Sequence, residues 1–303
     1  MKTPSELPFS RREFLRRAAT ATGGLMAVSA LATPSAKRTA VDLVPLGQSG
    51  LRCSRLGIGT GSHSGRVQCA LGHEGFNRLI RHAYDQGVRF IDTAQSYRTH
   101  SWIKPAIKGL PRENLFLQTK ISGNPSDPLK VIDQLRKELD TDYLDSLLVH
   151  CTVKPDWNEG RRRVIDALAE ARSRGWLKAG GVSCHSLPAL KLAADLDWVR
   201  VNLVRLNPQG VLMDTPAERW NAPSNAEHVP AVVKQVRRMQ ANGHGVIGMK
   251  IIGEGRFTDP AAREKSIRWV MQNHLADAVV IGFKSPAEVD EAIERINRAL
   301  AET

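Results

Sequence analysis

From about residue 40 onward the chain alternates between two spacings of apolar residues. Short runs dense in Val, Ile, Leu and Gly are separated by longer stretches in which apolar residues recur at i, i+3 and i+4. Eight runs read as strands: 55–60 (RLGIGT), 88–93 (VRFIDT), 115–120 (LFLQTK), 143–150 (YLDSLLVH), 177–183 (LKAGGVS), 199–206 (VRVNLVRL), 245–252 (GVIGMKII) and 278–283 (AVVIGF). Helical spacing marks 77–86, 128–139, 161–175, 187–196, 229–243, 262–273 and 287–300, and several of these stretches end at Gly. Ahead of the first run, VDLVPL and LRCSRL flank Gly47-Gln48-Ser49-Gly50 and predict a β-hairpin. Strands that alternate with helices pair in parallel through βαβ units. Eight such units predict an α/β fold, a (β/α)8 TIM barrel preceded by an N-terminal β-hairpin. No G-x-G-x-x-G follows an early strand, which argues against a doubly wound nucleotide-binding sheet.

The first residues break this pattern. Ser10-Arg11-Arg12-Glu13-Phe14-Leu15-Arg16 resembles a twin-arginine export signal. A mildly apolar stretch follows from Ala18 to Ala32, and Ala30-Leu31-Ala32 supplies an A-x-A cleavage site. The expected division is a signal peptide at 1–36 and a barrel at 37–303. The Tat translocation machinery is then a partner, and the location is periplasmic or otherwise exported. No run of about 18 apolar residues is present, so no stable membrane span is expected.

Charge and cysteines narrow the chemistry. The net charge is +12, of which +3 lies in residues 1–32. The rest is dispersed, densest at Arg161 to Arg163 and without interleaved aromatics. That pattern reads as a basic enzyme surface, with no nucleic acid partner. The four cysteines form no C-x-x-C pair, and no metal site is expected. Cys151 and Cys184 each follow a strand end; a disulfide between them and two free thiols are both open readings.

Barrel enzymes keep their chemistry at the C-terminal ends of the strands. Asp92, Lys120 and His150 fall at the ends of the second, third and fourth runs, with Tyr97 in the loop after Asp92. Singly, each has an ordinary explanation: a helix cap, a rim charge, a core histidine, a packing ring. Together they suit proton transfer. A phenol near its usual pKa of about 10 is a poor acid–base group at neutral pH. A cationic Lys120 would lower the pKa of Tyr97, Asp92 would hold Lys120, and His150 would orient an oxygen.

This order and spacing resembles the catalytic tetrad of aldo-keto reductases, and the resemblance covers about residues 40 to 300. It implies an NAD(P)H-dependent oxidoreductase that interconverts a carbonyl and an alcohol by hydride transfer. The cofactor is NADP(H), with NAD(H) also open. The substrate is a small molecule, and the protein is a monomer. It also implies cofactor contacts at Gly59 and Thr60 on the ribose and nicotinamide side, Ser183 on the carboxamide, Met249 under the ring, Lys250 at the pyrophosphate, and Lys284 and Ser285 at a 2′-phosphate. The chain departs from the family pattern at Cys184, Leu203 and Met249, where the family has Asn, Gln and an aromatic, and at Glu288, a place often basic or Gln. It lacks the family's G-x-S-E string after the tyrosine, so 98–102 reads as an altered loop bordering the pocket. Residues 207–228 read as a long loop covering substrate or cofactor. The alternatives are a non-catalytic nucleotide-binding barrel and a metal-dependent barrel hydrolase built on His63, Asp92, His150 and His185. The absence of any H-x-H pair argues against the second.

Overall fold

The computed structural model describes residues 37–302, so the expected export signal at 1–36 lies outside the described residues. An antiparallel hairpin comes first: β1 (Leu43–Pro45) pairs with β2 (Arg52–Ser54), Val44 opposite Cys53. Eight parallel strands follow: β3 (Leu56–Gly59), β4 (Phe90–Asp92), β5 (Phe116–Ile121), β6 (Leu144–Thr152), β7 (Leu177–Cys184), β8 (Val201–Arg205), β9 (Gly245–Met249) and β10 (Ala278–Ile281). They lie side by side in chain order, and β10 pairs back onto β3 to close the barrel. A helix follows each strand: α1 (Gly72–Asp85), α2 (His100–Ile107), α3 (Pro128–Glu138), α4 (Arg162–Ser173), α5 (Leu187–Ala193), α6 (Val229–Ala241), α7 (Pro260–Gln272) and α8 (Pro286–Ala301). The barrel and hairpin read from periodicity are therefore present.

Helix starts follow local chemistry. Asp127, Ser186, Asp259 and Ser285 each accept a hydrogen bond from a backbone N–H of the first turn, and each has Pro one or two residues later. A short polar side chain satisfies a free N–H, while proline lacks the donor that would be idle there. Helix α2 was not expected, since 98–102 reads as a loop. Arg98 turns with φ 59°, and the helix begins at His100. It is only eight residues long and contains Pro105, which removes one backbone bond and masks its periodicity. Burial of Ile103, Ala106 and Ile107 holds it in place.

Two apolar layers result from the strand period of two. One lies between strands and helices and includes Leu117, Leu147, Val149, Val204 and Val279. The other fills the barrel with Phe90, Phe116, Leu148, Val201, Ile247 and Ala278 and continues into Val44, Leu46 and Cys53 of the hairpin region. The hairpin seals the N-terminal end of the barrel. Gln48 N–H donates to Gly243 O at 2.7 Å and Gly47 N–H to Asp277 at 3.1 Å. Among the described residues all four cysteines are free thiols, and no helix is long and apolar enough to cross a membrane.

Candidate active site

Alternation along the strands decides what faces the barrel mouth. Phe90 points inward, Ile91 outward and Asp92 inward; on the next strand Phe116, Gln118 and Lys120 share the inner face, with Gln118 beside Asp92 in register. The apolar ring formed by Phe90 and Phe116 is thus capped by a polar layer of Asp92, Gln118 and Lys120. Lys120 Nζ donates to both Asp92 oxygens, at 2.7 and 2.8 Å, and to Thr93 O at 2.7 Å. Gln118 Nε2 donates to Asp92 Oδ1 at 2.8 Å. The Lys120 side chain is wholly buried. Burial pulls its pKa below the usual value, and the Asp92 carboxylate opposes that pull.

Tyr97 reaches this pair from a single 3-10 turn, Gln95–Tyr97. Its ring lies with the Lys120 ammonium 4.9 Å from the centroid and meets His150 edge-on at 5.6 Å. His150 sits where β6 loses register with β7, between Val149 and Thr152, and Cys151 takes φ 57°. A bulge of this kind re-aims a strand's side chains. His150 Nδ1 lies 3.2 Å from Ser122 Oγ and 3.4 Å from Ser96 Oγ.

The electrostatics correct one expectation. The Tyr97 hydroxyl titrates well above its ordinary value, because burial is the dominant cause and the Asp92 charge adds to it. Burial, reinforced by the charges of Lys120, Arg161 and Lys250, pulls His150 down to about 3. The site therefore holds a protonated phenol and a neutral imidazole at neutral pH.

Tyr97 and Asp92 form one end of a cleft of about 470 Å3 that passes Gly59, Met249 and Lys250 and runs to Glu288 on α8. Gly61 makes the approach of Tyr97 possible, for a Cβ there would lie 2.3 Å from the phenol ring. A Gly61→Ala variant is expected to displace the ring and lower turnover at least tenfold (about 1.4 kcal/mol on the barrier). Steady-state kinetics beside a thermal melt would check this; an unchanged kcat would show that the ring position is immaterial.

Residues 55–266 match the Aldo/keto reductase family. The chain belongs to that family. It is 31% identical over 137 residues to methylglyoxal reductase DkgB of Salmonella typhi, covering 43% of this chain and 51% of that enzyme. The chain thus spans about half the length of such relatives. Methylglyoxal reductase DkgA of Yersinia pestis is 26% identical over 71% of this chain and 76% of its own. In fold, the chain resembles the holo form of aldo-keto reductase AKR11C1 from Bacillus halodurans. The TM-score is 0.67 at 16% identity, over 86% of this chain and 96% of that one.

The remaining residues singled out from the aldo-keto reductase pattern are distributed unevenly around the cleft. Gly59, Met249, Lys250 and Lys284 line it. Thr60 turns inward, its hydroxyl bonded to Asp92 O at 3.1 Å and to Thr99 at 2.9 Å. Ser183 is buried, with no hydrogen-bond partner for Oγ. Ser285 caps α8. Lys250 pairs with Glu254 at 2.6 Å, a partner four residues on that i, i+4 spacing could have revealed. Sequence reasoning also missed Gln118, Ser122 and Gly61, none of which carries a distinctive motif. In the 207–228 loop, Asn207 pins the neck by accepting from Val211 N–H at 2.9 Å, and Trp220 is 58% exposed. Met213 is buried in the core, and the cleft is lined by other segments among the described residues.

A nicotinamide dinucleotide fits this arrangement. The volume lies in the range of small-molecule sites. Gly59 and Gly282 leave bare backbone along the cleft, and Met249 offers a soft apolar wall.

Proposed function

We propose that this chain is an NAD(P)H-dependent reductase of small carbonyl compounds. The observation that carries the reading is the buried Asp92–Lys120 pair beneath Tyr97, with His150 against the same ring and the cleft opening beside them. When bound, the nicotinamide supplies a hydride to the carbonyl carbon. Everything else is work for the protein. His150, with Nδ1 engaged by Ser122, presents Nε2 to the substrate oxygen and fixes its direction. The Tyr97 hydroxyl donates its proton to that oxygen as negative charge develops. The phenolate left behind lies close to the Lys120 ammonium, which Asp92 and Thr93 O hold in place. In the oxidative direction the same groups run in reverse.

Two of the family's amide-holding positions carry apolar groups here, Cys184 and Leu203, both buried. They favour the second reading, a barrel that holds a nucleotide without turnover. Titrating the purified protein with NADPH and NADH by fluorescence, and assaying methylglyoxal and a panel of simple aldehydes, separates the two. Binding with turnover supports the reductase; binding without turnover supports the holder; absence of binding removes both.

The pH profile follows from the two shifted groups. His150 ionises only near 3 and Tyr97 well above its ordinary value, so neither changes charge at intermediate pH. The reduction rate is expected to stay level from about pH 5 to about pH 9, where an unperturbed histidine would titrate midway. A clear break near pH 6.5 in kcat would contradict this. The twin-arginine segment also supports a proposal of export in the folded state, with cofactor loaded beforehand. Fractionation of cells expressing the wild type and an Arg11→Lys, Arg12→Lys variant tests it, retention of both in the cytoplasm counting against it.

A further inference from the structure

The far end of the cleft, at the start of α8, is a place where an anion would ordinarily be welcome, since free N–H groups and the helix dipole converge there. In this chain the position is already filled from within. Glu288 Oε2 accepts the Lys284 backbone N–H at 2.7 Å, and Ser285 Oγ accepts the Glu288 N–H at 3.3 Å. The surrounding cations are matched as well. Arg263 and Arg295 both donate to Glu291 Oε1, at 2.9 and 2.8 Å, and Arg295 also donates to Glu264 at 2.5 Å. Lys284, Arg263 and Arg295 line the cleft beside the carboxylates Glu288 and Glu291, with Lys284 exposed and the two arginines held by Glu291 and Glu264.

A dinucleotide laid along the cleft with its nicotinamide beside Tyr97 would carry its adenosine ribose towards Glu288, which lines the same cleft. A 2′-phosphate there would have to displace the Glu288 carboxylate from the helix start and then lie beside Glu291. A 2′-hydroxyl would instead donate to Glu288, the interaction by which an acidic side chain selects an unphosphorylated ribose. We infer that Glu288 is a specificity-determining residue that makes this site prefer NAD(H) to NADP(H). The inference rests on the reductase reading and goes beyond it by choosing between the two cofactors.

Fluorescence titration of the purified protein with NADH and with NADPH tests it, independently of turnover. The wild type is expected to bind NADH at least about tenfold more tightly. Glu288→Gln keeps an oxygen for the Lys284 N–H but removes the charge. It is expected to tighten NADPH about tenfold while NADH stays within about threefold. Glu288→Lys should carry the preference further towards NADPH, and circular dichroism checks that both variants fold. Equal or tighter binding of NADPH by the wild type overturns the inference, as does an unchanged NADH to NADPH ratio in Glu288→Gln. If neither nucleotide binds the wild type, the reductase reading itself falls. If both bind and only the ratio is wrong, the reductase stands without the preference.

Discussion

Tyr97→Phe is expected to lower kcat for aldehyde reduction by about 10^2–10^4-fold while leaving nucleotide affinity within about threefold. The ring stays, so its contacts with Lys120 and His150 persist; only the hydroxyl that would deliver the proton is lost. The kinetic pattern is diagnostic. Because the proton moves only as the carbonyl is reduced, kcat and kcat/KM should fall together. A fall confined to KM would assign Tyr97 to substrate binding, and an unchanged kcat would move the acid elsewhere, with His150 the neighbouring group to examine.

The second large effect concerns stability. Asp92→Ala leaves the Lys120 ammonium wholly buried with Thr93 O as its remaining partner. Breaking a buried pair from one side costs about 3–5 kcal/mol. In a chain of this size that lowers the melting temperature by about 10 °C. Adding Lys120→Met to the same variant removes the stranded charge, so the double variant should melt above Asp92→Ala alone. The single variant should also gain stability as pH rises. Its Lys120 has a folded-state pKa depressed by burial, so above that value the unfolded chain binds more protons than the folded one. A double variant no more stable than the single one would mean that the pair contributes little to folding.

Much of this was readable before the structure. The barrel follows from two spacings of apolar residues, because a strand that is buried on both faces and a helix that is buried on one leave different marks. Asp92, Lys120 and His150 stood out since polar residues ending apolar runs have little structural reason to be there. The missing parts share a physical cause: they depend on neighbours distant in sequence. Gln118 looks like an ordinary strand residue until β4 lies beside it. Gly61 shows its purpose only when the Tyr97 ring is seen against it. Helix α2 was hidden by Pro105, and it exists because tertiary packing of Ile103 and Ile107 outweighs local propensity. The raised pKa of Tyr97 was equally out of reach, because composition cannot say how deeply a tyrosine is buried or which carboxylate lies beside it.

The hairpin that closes the N-terminal end of the barrel has a consequence for how such a protein diversifies. Leu46 and Cys53 are fully buried there, and the floor they complete lies at the opposite end of the barrel from Tyr97 and His150. Floor and mouth therefore answer to separate selective demands. Loops after β4, β6 or β8 can be lengthened, shortened or exchanged between relatives without disturbing the stopper beneath. New substrates can be acquired by remodelling one rim of the molecule while the other end keeps it folded.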